Sequence, residues 1–226
     1  MMASVVRAHR QCFPGWEMRV YHDDATERGS FFPMWKEYER LGYIKLVPMG
    51  EAKTLCGSML WRMIPVFEKG VDVVICRDLD ALPSPREAAA VTQFVQQIDS
   101  CRHIVHSIHD SVSHCGLMGG TVGFVAHELR SFSSLLSIED VYYRCADLGI
   151  SLKKHGDDQV FLNKFIAPIF QNGQLLTHTT ATLGKKDHPL DVVGWHIGGA
   201  QHQEMAMRYF ESQGTFKDLD AIDGGK

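Results

Sequence analysis

Val71-Asp72-Val73-Val74-Ile75-Cys76-Arg77-Asp78-Leu79-Asp80 carries a run dominated by β-branched apolar residues straight into an acidic loop. Such a run, from Val71 to Cys76, marks a strand covered on both faces in a mostly parallel sheet. Arg77-Asp78-Leu79-Asp80 then falls at the carboxyl end of that strand. Immediately downstream, Ser84-Pro85-Arg86-Glu87 has the form of a capping box with proline at the first helical position, and Val91, Phe94, Val95 and Ile98 continue at helical spacing. Strand, acidic loop and helix are each specified locally.

The same alternation extends to both sides. Upstream, Ser4 to Cys12 reads as a helix ending at Pro14-Gly15, Glu17 to His22 as a strand, Met34 to Leu41 as a helix and Tyr43 to Pro48 as a strand. Leu60, Met63, Ile64 and Phe67 recur at helical spacing, although Pro65 disturbs a regular helix there. Downstream, His103 to Ser107 reads as a short strand, followed by the His-rich loop Ile108 to His114 and a glycine-rich segment, Gly116 to Phe124. Helices are expected over Ile138–Leu148 and Asp157–Phe165, and a strand over Gln174–His178. No internal repeat or long linker divides the chain. The expectation is one α/β domain over residues 1–226, with a mostly parallel central sheet flanked by helices, a core over about 13–180 and a poorly patterned tail over about 212–226.

At 226 residues the length suits one such domain with a substantial core, and 45% hydrophobic with 22% charged residues is ordinary for a globular chain. A formal charge of -4 without a basic stripe argues against nucleic acid as a partner. The apolar runs are too short for a transmembrane segment, and Met1 to Arg10 lacks a signal peptide's apolar stretch, so a cytoplasmic location is expected. Cys12, Cys56, Cys76, Cys101, Cys115 and Cys145 show no C-x-x-C spacing and read as reduced structural thiols.

Ligands of open α/β sheets gather at the carboxyl ends of strands, where Asp78 and Asp80 are expected. Hard carboxylate oxygens suit Mg²⁺ or Mn²⁺, ions that keep open positions for substrate phosphate oxygens. The plain alternative is a solvated turn. Asp218-Leu219-Asp220 repeats the tripeptide but follows no buried strand, which makes it an internal control.

From Phe13 to about Pro168, the series Phe13-Pro14-Gly15-Trp16, Tyr21-His22-Asp23-Asp24, Trp61-Arg62, Arg77-Asp78-Leu79-Asp80, Arg86-Glu87, Gly119-Gly120 and Asp158-Gln159 resembles DxD glycosyltransferases of the GT-A fold. The match is closest to glycosyltransferases with a W-R, R-D-x-D, R-E and D-Q series, and looser to glycogenin-like and lipopolysaccharide galactosyltransferases. The resemblance implies a single GT-A-like, Rossmann-like domain that transfers sugar from a UDP- or GDP-sugar donor to a carbohydrate or other hydroxyl acceptor. It implies Asp78 and Asp80 as ligands of Mn²⁺ or Mg²⁺, with Asp78 also facing the donor and Arg62 near the nucleotide-sugar. It places Gly119 and Gly120 under the donor sugar, and Asp158 and Gln159 at the reacting centre. There Asp158 either deprotonates an acceptor hydroxyl or holds the sugar.

Each of these residues also has a structural reading. Arg62 can cap a helix with its stem buried, and one of Asp157 and Asp158 can serve as an N-cap. Arg77 and Arg86 are weaker donor-site candidates, and the capping box already accounts for Glu87. His106, His109 and His114 fit polar loop positions as readily as an acceptor site. In related enzymes a C-terminal histidine is a third metal ligand, for which His178 and His196 compete; His196 lacks the Lys-Pro-Trp that follows in the looser relatives.

The first strand and glycine-rich turn usual in that fold have no counterpart before Met1, which reads either as a truncated reading frame or as a domain that has lost donor binding, and weak donor affinity is expected. A noncatalytic interaction or sugar-binding protein is therefore one alternative. A metal-dependent nucleotidyltransferase or phosphohydrolase is another, since paired aspartates can activate phosphate or water.

Overall fold

The computed structural model describes residues 2–101, 103–109, 116–170 and 173–179. Helices and sheets mix along the chain, giving an α/β protein that divides into two compact units. No helix among the described residues is long and apolar enough to cross a membrane.

The first unit takes in residues 2–52 and 79–88. Helix α1 (Met2–Cys12), strand β1 (Arg19–His22), the short helix α2 (Asp24–Glu27), helix α3 (Phe32–Arg40) and strand β2 (Lys45–Pro48) follow in order. β1 and β2 are parallel, Arg19 opposite Lys45 and His22 opposite Pro48. Parallel neighbours need a crossover, and the helices between the strands supply it. Met2, Ala3 and Val6 of α1 pack with Val20, Leu46 and Tyr38 as a small core. Asp23 caps α2, its carboxylate accepting from Thr26 N at 2.8 Å and Thr26 Oγ1 at 2.7 Å. These bonds, the hydroxyl first, hold the Asp23 carboxyl below its ordinary range.

The second unit takes in, of the described residues, 53–78 and those from 89 to 179. Helix α4 (Leu55–Met59), capped by Thr54, runs directly into a 3₁₀ helix over Leu60–Phe67. Pro65 has no N–H to give and disfavours the α-helical turn before it. Buried Leu60, Met63 and Val66 accordingly recur every third residue, the 3₁₀ period, rather than at the α spacing expected from Leu60, Met63, Ile64 and Phe67.

Strand β3 (Val73–Ile75) precedes helix α5 (Pro85–Cys101) and strand β4 (Val105–His109). Beyond the glycine-rich segment come strand β5 (Val122–Val125), helix α6 (Ala126–Ser133) and helix α7 (Ile138–Asp147). Helix α8 (Asp157–Phe161) passes into a π-helical turn over Leu162–Ile166, and strand β6 (Leu175–Thr179) closes the described order. The four strands lie in the order β3-β5-β4-β6. β5 is antiparallel to both β3 and β4, and only β4 and β6 are parallel.

This arrangement corrects the expectation of a mostly parallel central sheet. An apolar run signals burial but carries no direction; direction follows from the connection, and β5 was not foreseen as a strand inside the glycine-rich segment. β3 itself is only three residues long, with Val74 buried and Val73 and Ile75 partly so. Phe94 of α5, Val105, Phe124, Leu129, Phe161 and Ile166 form the centre of this unit's core.

Candidate functional site

The 3₁₀ helix sets the position of Arg62. Its Nε donates to the carbonyl of Met59 at 2.5 Å, which fixes the plane of the guanidinium. The buried Cys76 thiol donates to the carbonyl of Arg62 at 3.4 Å, tying the same turn to the end of β3. Burial, against a smaller opposing effect from the Arg62 charge, pushes that thiol up to about 12, so it stays a packing group rather than a nucleophile.

With its plane fixed, Arg62 bridges two carboxylates. One terminal nitrogen donates to Asp78 Oδ1 at 2.5 Å, and the other lies 3.8 Å from Asp158 Oδ2. The environments differ: the Asp78 side chain is 50% exposed, that of Asp158 only 6%. Gly119 and Gly120 close the other side. A Cβ on Gly119 would come 2.6 Å from Asp158 Oδ2 and 3.6 Å from an Arg62 nitrogen. One on Gly120 would come 2.1 Å from Asp78 Oδ2. Only glycine permits backbone to approach both carboxylates this closely.

Asp157 and Asp158 have separate tasks. The Asp157 carboxylate accepts from Ser151 Oγ, Lys153 N and Lys154 N, which lowers its pKa, chiefly through the Lys154 amide. It holds the preceding loop, while Gly156, not an aspartate, occupies the N-cap of α8. Asp158 is left for Arg62.

Asn163, in the π turn, was not singled out from the sequence. Its Oδ1 accepts from Leu117 N at 2.8 Å, and its Nδ2 donates to Leu117 O at 2.9 Å and to Gln159 O at 2.8 Å. The one usable signal was its spacing: four residues after Gln159, an amide falls on the same helix face. Gln159 itself is partly buried on α8.

Asp80 is exposed on the turn after Asp78. Among the described residues, no three His, Cys, Asp or Glu side chains are grouped so as to hold a metal. Arg86 and Glu87 are buried, and Ser84 Oγ accepts from Glu87 N at 3.2 Å as the cap expected at the start of α5. His114, His196 and Asp220 lie outside the described residues.

His178 is placed in the sheet instead. Its Nδ1 lies 3.0 Å from His106 Nε2, and its Nε2 lies 3.1 Å from Gln93 Oε1. An amide oxygen only accepts, so His178 carries its proton on Nε2 and receives the His106 N–H at Nδ1. In this arrangement both ring nitrogens face side chains of the sheet and of α5. His106, expected to border an acceptor loop, is likewise buried in β4 and stacked on Phe94 at 5.3 Å.

Burial, with His178 a lesser cause, pushes His106 down to about 3 from its ordinary 6.5. Between those values the unfolded chain binds a proton that the folded chain refuses. Its effect on stability is therefore nil above about pH 6.5 and grows by about 1.4 kcal/mol per unit below it. From pH 6.5 to 5, His106 should cost about 2 kcal/mol. Urea unfolding of wild type and His106→Gln at both values checks this; equal losses in the two proteins would remove His106 as the cause.

The chain matches no family model and no curated protein.

Proposed function

We propose that this chain is a metal-dependent glycosyltransferase of GT-A-like, Rossmann-like architecture. It moves a sugar from a UDP- or GDP-sugar to a carbohydrate or other hydroxyl acceptor. The observation that supports this most is the meeting of Arg62, Asp78, Gly119-Gly120 and Asp158, from four separate segments, at one place in the second unit.

Two carboxylates against one guanidinium leave this cluster with net negative charge. A diphosphate approaching it is repelled unless a cation comes too. Asp78 and Asp80, two residues apart, would hold that cation. Such a carboxylate pair suits Mg²⁺ or Mn²⁺, which retain waters and substrate phosphates. When bound, the ion neutralises the departing diphosphate.

The chain's own residues do the rest. Arg62 offers a fixed, always charged donor next to the diphosphate. Gly119 and Gly120 let the donor lie against main chain without side-chain bulk. Asp158, buried beside Arg62, is suited to accepting hydrogen bonds from sugar hydroxyls and so to orienting the donor for attack.

Calorimetry with UDP and GDP, with and without Mn²⁺, should show binding only when metal is present. Asp80→Ala should weaken it by about tenfold or more, equivalent to about 1.4 kcal/mol. Asp220→Ala, in the identical tail tripeptide, should leave it unchanged; equal effects from both would sink the metal assignment. A donor panel followed by product mass separates transfer from hydrolysis. Phosphate release without sugar transfer would replace this reading with a phosphohydrolase.

A further inference from the structure

We infer that Asn163 is a positioning residue that clamps the Gly119-Gly120 loop over Asp158 and Asp78, a role that rests on the glycosyltransferase reading for its catalytic meaning. The side chain makes three directed hydrogen bonds, and they fix which atom goes where. Leu117 N must meet an acceptor, while Leu117 O and Gln159 O must both meet donors. Only an uncharged amide in one orientation satisfies all three.

Two of these bonds pair Asn163 with both main-chain groups of Leu117, as a neighbouring strand would, so the loop is held in register rather than merely touched. Leu117 lies two residues before Gly119, and Gln159 directly follows Asp158. The clamp therefore joins the two segments whose close approach makes the site. Leu117 is itself buried in the core, which anchors the loop's first residue.

Gly116 makes room for the clamp. Its φ of +78° is a conformation that L side chains rarely adopt, and a Cβ there would lie 1.9 Å from Asn163 Oδ1. The π turn supplies the other half. A π-helical turn carries one residue more than an α turn, and such bulges recur at functional sites because they re-aim side chains. Here Asn163 reaches the loop while still holding the carbonyl of Gln159 four positions back.

Hydrogen exchange at the 117–121 amides tests the clamp without any ligand. Asn163→Ala should speed exchange there by about tenfold or more, since each of the three lost hydrogen bonds is equivalent to about a two- to tenfold change in the opening equilibrium. With UDP and Mn²⁺ as the probe, affinity should fall by about tenfold, and the KM for donor should rise more than kcat falls. Asn163→Asp keeps the volume and the Leu117 N–H bond but sets carboxylate oxygen against two carbonyls. It should behave like the alanine variant, and it stands in for it should Asn163→Ala fail to fold.

Unchanged exchange in both variants would overturn the clamp. Faster exchange with unchanged UDP affinity and kinetics would overturn its positioning role. Should wild type bind no nucleotide, the glycosyltransferase reading falls, while the exchange data still decide the clamp.

Discussion

Arg62→Ala should lose about 2–3 kcal/mol of folding stability and at least about a hundredfold in kcat/KM. The stability loss comes mainly from Asp158, whose buried carboxylate loses the guanidinium 3.8 Å away. Breaking a fully buried pair costs about 3–5 kcal/mol, but Asp78 is half exposed and its arm of the bridge is screened by water, which lowers the total. On the proposed reading activity falls further, because the two carboxylates then repel each other and the proposed donor loses its fixed cation. Arg62→Lys should recover part of the stability and little of the activity. A single ammonium cannot hold the Met59 carbonyl and span both carboxylates as the planar fork does. Urea unfolding and steady-state kinetics check both; wild-type stability and kcat/KM in Arg62→Ala would show that the bridge is ornamental.

Gly120→Ala and Gly119→Ala should fail in opposite ways. A methyl on Gly120 meets the end of a half-exposed side chain, Asp78, that can swing into water. Stability should change by less than about 1 kcal/mol, while on the proposed reading affinity for UDP with Mn²⁺ should fall by about a hundredfold, because the swing takes the proposed metal ligand with it. A methyl on Gly119 meets the buried carboxylate of Asp158, which has nowhere to go. That strain should cost about 1–3 kcal/mol of stability as well as activity. Thermal unfolding and calorimetry on the two variants side by side decide this. Indistinguishable profiles would show that the carboxylates do not differ in freedom as their exposures say.

Local signals were legible before any coordinates. Ser84 capping Glu87, the strands ending at His22 and Pro48, and the helix beginning at Ile138 each rest on residues near one another in the chain. Of the residues of the site, Asp78 was read from its place after a buried strand and Arg62, Gly119, Gly120 and Asp158 came from resemblance; the structure brings them together within the second unit. Their roles remain a proposal.

What escaped the sequence is nonlocal or lacks a period. β5 reads as Val122-Gly123-Phe124-Val125, and nothing within it says that β3 and β4 flank it on both sides. Gly123 has its own reason there, since a Cβ would come 2.5 Å from Ile75 and 3.3 Å from His106, and neither neighbour is close in sequence. A π turn has no hydrophobic signature distinct from the α-helix it interrupts, so the expected helix Asp157–Phe165 hid the change at Leu162. His178 entered as a candidate through the C-terminal histidine of the family it resembles, and its partners in the sheet lie 72 and 85 residues away, beyond any local signal.

Strand order also sets a timetable for synthesis. The β1–β2 ladder is complete once Pro48 has been made. β3, β4 and β5 can join by Val125, but β4 then presents a free edge until Thr179 emerges and β6 covers it. Through that interval a nascent chain carries an open β-edge beside the apolar surfaces of Val105 and Phe124, the kind of surface that chaperones shield and that pairs with other chains when crowded.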